Sequence, residues 1–298
     1  MAPNRKGRWS NELNGYSLLA VWLVGFFVFT FGPTIASIYL SFTDYDLVNA
    51  PYWVGMENYV RIATDDPKFR ESLHVTFMYV AMSVPLKLLM ALTVAMALNK
   101  GLKGLTLYRA IFYLPSLLGG SVAIAILWQQ FFSTDGIMTY LMRFFGYDGP
   151  GWISTPDHAL HTLVILSVWQ FGSPMIIFLA GLRQIPRDMY EAASIDGASK
   201  VRQFFRITLP LLTPVMFFNV VMQTIDAFKA FTPAFIVSNG TGGPVDSTLF
   251  YTLYLYQEAF AFLRMGNASA LAVILVIIIA VFTAIAFATS KLWVHYDD

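Results

Sequence analysis

Six long apolar runs, at about 16–42, 72–99, 107–132, 159–182, 208–236 and 268–290, dominate the chain. Each exceeds the roughly 20 residues a helix needs to cross about 30 Å of hydrocarbon. Inside a bilayer the backbone has no water to bond to, so a crossing segment must satisfy its own N–H and C=O groups. Runs of this length therefore predict helices, and the chain reads as an all-α integral membrane protein with six transmembrane helices. Pro33, Pro85, Pro115, Pro174, Pro214 and Pro233 fall inside the runs; membrane helices accept such kinks where neighbours re-satisfy the freed carbonyls. Composition agrees: 12% of residues are charged, against roughly 25% in a soluble domain. The net charge of +1 points to no nucleic-acid partner. The chain has no cysteine, which excludes disulfides and thiolate metal sites.

The run at 16–42 is longer than a signal-peptide core of roughly 7–15 residues and lacks a small-residue cleavage site, so it reads as an uncleaved first span. Basic residues set the orientation. With the N-terminus inside, Arg5, Lys6, Arg8, Lys100, Lys103, Arg109, Arg183, Arg187, Lys200, Arg202, Arg206 and Lys291 fall on the inner side. Only Arg61, Lys68, Arg70, Arg143 and Arg264 fall outside. The chain then divides into a cytoplasmic segment 1–15, a membrane domain 16–290 with a large inner loop at about 183–207, and a cytoplasmic tail 291–298. The outer segments carry Asp44, Asp46, Asp65, Asp66, Asp135, Asp148, Asp157, Asp246 and Glu258, with Tyr45, Tyr52, Trp53, Tyr59 and Trp152 as an interfacial aromatic belt.

The inner loop between the fourth and fifth runs holds Glu191-Ala192-Ala193, three residues, Gly197, nine residues, Ile207, one residue, and Leu209-Pro210. It predicts a short helix over 187–195, a turn at Asp196-Gly197 and a second helix start. Ala192, Ala193 and Ala198 leave room for another surface to approach, and Gly197 permits a left-handed backbone. Glu191 is read in the first turn of its helix, at the positive end of the dipole. The bland alternative is an ordinary loop between two spans. The spacing resembles the signature loop of permease subunits in bacterial ABC importers. The likeness extends through Trp53-Val54-Gly55-Met56-Glu57-Asn58-Tyr59, Leu179-Ala180-Gly181-Leu182, Gly242-Gly243-Pro244 and Met265-Gly266-Asn267-Ala268. It is narrowest toward the first of the two unlike permeases of the maltose and glycerol-phosphate type, in the carbohydrate branch.

That resemblance implies a multi-pass protein of the bacterial inner membrane, importing a sugar, oligosaccharide or related carbohydrate by alternating access. Polyol, glycerol-phosphate or uronate cargo remains open. It implies a cytoplasmic coupling helix carried by Glu191, Ala192, Ala193, Gly197, Ile207 and Pro210. It also implies a second homologous permease as heterodimer partner, a dimer of ATP-binding subunits that use ATP and Mg, and an extracellular or periplasmic solute-binding protein. This chain would then bind no cofactor and catalyse no covalent step; no phosphate-binding loop occurs in it, and Gly240-Thr241-Gly242-Gly243-Pro244 lacks the required lysine.

Ionisable groups within spans are costly and mark functional candidates. Lys87 lies in the second run; Asp226 and Lys229, three apart, share a helix face in the fifth and can pair. A structural salt link or a snorkelled side chain is the bland reading of each. By the resemblance, the sugar path falls around Trp169, Gln170 and Ser173 in the fourth span, and Gln223, Asp226, Lys229 and Thr232 in the fifth. A lysine here also suits an acidic sugar. A proton- or ion-coupled transporter using Lys87 and Asp226 is the competing class, but leaves the Glu191 loop unexplained. His158 and His161 are spaced as half a metal site, yet Thr155-Pro156-Asp157 reads better as a helix cap. In the sixth span Gly266, Ala268, Ser269, Ala270 and Ala272 suit close helix packing.

Overall fold

The computed structural model describes residues 19–101, 104–146 and 149–295. Arg5, Lys6, Arg8, Lys103 and Asp148, the segment 1–15, the start of the first span and the last residues of the tail lie outside the described residues. In chain order the elements are α1 (Leu19–Leu40), β1 (Thr43–Asp44), β2 (Tyr52–Trp53), α2 (Glu57–Thr64), α3 (Pro67–Leu98), α4 (Leu105–Leu118), α5 (Val122–Phe132) and α6 (Ile137–Phe144). There follow α7 (Pro156–Trp169), α8 (Gly172–Gln184), α9 (Arg187–Ile195), α10 (Lys200–Gln203), α11 (Leu209–Phe228), α12 (Thr232–Val237), α13 (Tyr251–Tyr256) and α14 (Met265–Trp293). Four helical stretches, Leu19–Leu40, Pro67–Leu98, Lys200–Val237 and Met265–Trp293, are long and apolar enough to cross a membrane. Counting each of two bent pairs as one span makes six.

Those bent pairs correct the expectation of continuous third and fourth spans. The third is bent by 92° between Leu105–Leu118 and Val122–Phe144, and the fourth by 42° between Pro156–Trp169 and Gly172–Gln184. The cause is local. Gly119 and Gly120 weaken helix propagation, and Ser121 adopts an extended backbone and accepts from Ile124 N, so it starts a new helix instead of continuing the old one. The fifth span is likewise interrupted, at Lys229–Phe231, between α11 and α12.

The described residues form two compact units, one within 19–65 and 258–276 and the other within 66–257 and 277–295. In the first, α1 buries nothing and presents apolar side chains on all sides, as a lipid-facing helix does. Strands β1 and β2 pair antiparallel, Thr43 opposite Trp53 and Asp44 opposite Tyr52. The connecting turn is tied by Asp46, whose carboxyl is held below the usual carboxylate range by hydrogen bonds from Asn49. Behind it lies a fully partnered polar cluster. Glu258, 1% exposed, pairs with Arg264 at 3.4 Å and accepts from Asn267 Nδ2 at 2.7 Å. Arg61 bridges Asn267 Oδ1 and Asn58 Oδ1, and Asn58 Nδ2 donates to the carbonyls of Ser41 and Thr43. Gly266 is required here: a Cβ would stand 2.0 Å from Thr43 O. Close helix packing was expected of the small-residue run; at Gly266 the close approach is instead to the backbone of β1, and the charged network around it was not legible from spacing.

The second unit is organised on α3. Asp66 caps it through Phe69 N, with Pro67 opening its first turn. Its core joins Ala91, Leu92, Ala95 and Leu98 to Phe171, Met175, Phe178 and Leu179, and to Leu212 of α11. Lipid tails are as apolar as leucine, so close van der Waals packing rather than water exclusion holds such a core. Gly181 serves that packing, since a Cβ there would meet Val215 at 2.8 Å. Thr155 does not cap α7 with its side chain; its hydroxyl donates to Gly151 O instead. His161 Nδ1 lies 2.8 Å from Asp157 O and the His158 ring packs on Trp152. Among the described residues no metal-binding group of side chains occurs.

Candidate functional site

The three helix breaks of the second unit meet. Ser116 Oγ donates to Gln170 O at 2.8 Å and accepts from Ser173 N at 3.0 Å; Gln170 Nε2 donates to Gly119 O at 3.1 Å. Each bond uses a backbone group that a continuous helix would have consumed internally. Two glycines make the approach possible. A Cβ on Gly172 would lie 2.4 Å from Phe112 O, and one on Gly119 would lie 2.1 Å from Gln170 Cδ. On the third break, Thr252 Oγ1 donates to the freed Ala230 carbonyl.

A cavity of about 330 Å³ opens where these breaks converge. Its wall includes Lys87 of α3, Ser116, Gly119 and Gly120 at the first break, and Gln170 and Ser173 at the second. Gln223 and Asp226 of α11 and Ala230–Pro233 at the third also line it, with Tyr79 and Val84 of α3 and Leu163, Leu166 and Ser167 of α7. Five of the seven residues expected along the path, Gln170, Ser173, Gln223, Asp226 and Thr232, line this one space. Lys229 sits beside it as an ion pair, Nζ 3.6 Å from Asp226 Oδ1, both side chains more than half exposed. Pairing at i,i+3 was expected; the exposed setting was not, because the helix ends at Phe228 and leaves the pair at an opening. Trp169 lies outside the wall, its ring stacked on Trp128 at 6.1 Å. Lys87 is half-buried in the wall, in the field of Asp226.

Sequence reasoning missed the glycine pair Gly119-Gly120, whose signal was visible, and Ser116, whose signal was not. It also missed Asn219, one turn from Gln223 on the same face of α11. Asn219 is fully buried, and neither its Oδ1 nor its Nδ2 has a partner among the described residues.

The second candidate feature is the hairpin α9–α10. Helix α9 spans Arg187–Ile195, as its sequence predicted, and buries none of its residues. It closes on a full left-handed cap: Gly197 has φ +75°, Gly197 N donates to Ser194 O at 3.1 Å, and Ala198 N to Ala193 O at 2.9 Å. Ser199 then caps α10 through Arg202 N. Buried Gln203 staples the two arms, donating to Ser194 Oγ at 2.9 Å and to Ala198 O at 3.2 Å. Tyr190 Oη meets Thr208 Oγ1 at 2.9 Å. The first-turn acid is Asp188, not Glu191; Glu191 is one turn further on, because Pro186 sets the start of the helix. The loop residues separate by exposure. Glu191, Ala192 and Gly197 are exposed and Ala193 is half-buried. Ile207 packs against the core, and Pro210 lies at the start of α11. Ile195, 87% exposed, is an apolar tip that the spacing had not singled out.

Residues 62–292 match the family described as binding-protein-dependent transport system inner membrane component. The "Probable ABC transporter permease protein YesP" of Bacillus subtilis (strain 168) is 52% identical over 289 residues, covering 97% of this chain and 94% of that protein. The lactose transport system permease protein LacF of Rhizobium radiobacter is 32% identical, over 94% of this chain and 95% of its own. A chain of a bacterial alginate ABC transporter, crystallised with an alginate pentasaccharide-bound periplasmic protein, superposes with a TM-score of 0.80 at 19% identity, over 95% of each chain; this likeness is one of fold. This chain therefore belongs to the family of inner-membrane components of binding-protein-dependent transport systems, as a permease of the ABC importers.

Proposed function

We propose that this permease imports a sugar, oligosaccharide or related carbohydrate by alternating access, across six spans with both termini in the cytoplasm. The hairpin α9–α10 is its coupling element, seated in a dimer of ATP-binding subunits that use ATP and Mg. A second homologous permease completes the membrane part as a heterodimer, and a solute-binding protein delivers cargo from outside. The chain itself makes and breaks no covalent bond; it converts closure of the ATP-binding dimer into movement of the helices around the cavity.

The carrying observation is the contrast in α9: a helix stapled at both ends that buries none of its residues. An isolated nine-residue helix is marginal in water, so the staples hold a surface in readiness for a partner. The cargo reading is supported by the cavity, whose amide, hydroxyl and charged groups suit sugar hydroxyls. It is also supported by relatives named for lactose, for starch degradation products and for sn-glycerol-3-phosphate, each 32–33% identical. Broken helices around a mid-membrane site are a recurrent way for transporters to present polar backbone to cargo.

The absence of cysteine makes the test direct. Ala192→Cys should react with a membrane-impermeant maleimide only from the cytoplasmic side, and should cross-link to a cysteine in the docking cleft of the ATP-binding subunit. Glu191→Lys and Gly197→Pro should abolish assembly with that subunit while the chain still inserts. Labelling from outside, or transport surviving both substitutions, would remove the coupling assignment.

A further inference from the structure

The charges around the cavity do not balance. Two residues charged at neutral pH stand in its wall among the described residues, Lys87 and Asp226. Asp226 is already engaged by Lys229 at 3.6 Å. One carboxylate therefore serves two ammonium groups, one on α3 and one at the break after α11, and leaves one positive charge in excess at the convergence of three broken spans. Within a bilayer an uncompensated charge is costly and is kept where it meets a counter-charge. The remaining polar residues of the wall, Ser116, Gln170, Ser173 and Gln223 among them, carry no charge. These can bond hydroxyls but cannot neutralise a cation.

We infer that the missing counter-charge is carried by the cargo, and that this permease passes an anionic saccharide, of the uronate type, whose carboxylate pairs with Lys87 while its hydroxyls meet Gln170 and Gln223. This rests on the importer reading above and narrows its substrate class. Asp226 then has a second role: by drawing on Lys87 it weakens the hold on the carboxylate enough for the saccharide to leave.

The test uses the assembled complex in proteoliposomes, with its own solute-binding protein and ATP inside. The probes are α-1,4-trigalacturonate and α-1,4-galactotriose, which differ only in carboxylate against hydroxymethyl. The binding protein is common to all variants, so its own preference cancels when ratios are compared. Lys87→Gln should lower the acidic-to-neutral uptake ratio about tenfold, as loss of one partly solvated ion pair would. Lys87→Arg should keep most of the ratio, and Asp226→Asn should raise it. A purely structural lysine would slow both probes equally; an unchanged ratio in Lys87→Gln overturns the inference and leaves the importer reading standing. If neither these probes nor a panel of other saccharides enters on addition of ATP, the importer reading falls and this inference with it.

Discussion

Glu258 and Asn219 are both buried polar residues of one chain, and they are treated in opposite ways. Around Glu258 each carboxylate oxygen has a partner, and Asn267, Arg61 and Asn58 pass the bonding on to backbone carbonyls. On α11, Asn219 has no partner for either amide atom, and the polar groups one and two turns further on open into a cavity. A buried polar network is stabilising only when every member is satisfied. The first cluster meets that condition and fixes the shape of its unit. The second does not: Asn219, which is not among the residues lining the cavity, is left buried and unpaired.

The comparison can be broken first at Glu258. Glu258→Ala strands Arg264 and Asn267, and should destabilise the detergent-solubilised protein by about 2–3 kcal/mol in thermal unfolding. A neutral outcome would mean that the cluster is ornamental to the fold. Gly266→Ala attacks the same place sterically and should cost about 1–3 kcal/mol, because the clashing atom is backbone and cannot turn aside. The matching change at the cavity, Gly119→Ala, meets side-chain atoms of Gln170, Cγ, Cδ and Nε2, rather than backbone. It should leave thermal stability within about 1 kcal/mol yet slow uptake about tenfold, the cost of one displaced hydrogen-bonding group. If stability and transport fell together, the two regions would not differ in kind. Gly197→Ala forces a left-handed residue and should weaken assembly with the ATP-binding subunit by about 1 kcal/mol, seen in copurification. The smallest effect is expected of Asn219→Leu, which should raise the unfolding temperature slightly, by up to about 1 kcal/mol in stability, because an orphaned amide is replaced by an apolar side chain. A marked loss instead would show that another chain supplies the partner.

Much of this was open to a reader of residues. Span length, basic asymmetry and the Glu191–Pro210 spacing are one-dimensional signals, since hydrocarbon thickness and helix rise convert directly into numbers of residues. Helix α9 therefore fell at 187–195, with its turn at Gly197. The breaks were half legible. Gly119-Gly120-Ser121 is a stop followed by a cap, but inside an apolar run its hydropathy hid it.

Alone, the sequence determined that the chain is helical and membrane-spanning, and where the helix–turn–helix at 187–203 falls, because those properties depend on neighbours within a few turns. Only the tertiary structure decided that residues 116, 170, 223 and 230, far apart in the chain, share one cavity, and that Trp169 turns away from it to stack on Trp128. The physical reason is that a broken helix releases backbone groups whose new partners come from other helices. Which helices those are is settled by packing in space, at contacts as tight as Gly119 against Gln170, and no local pattern along the chain encodes it.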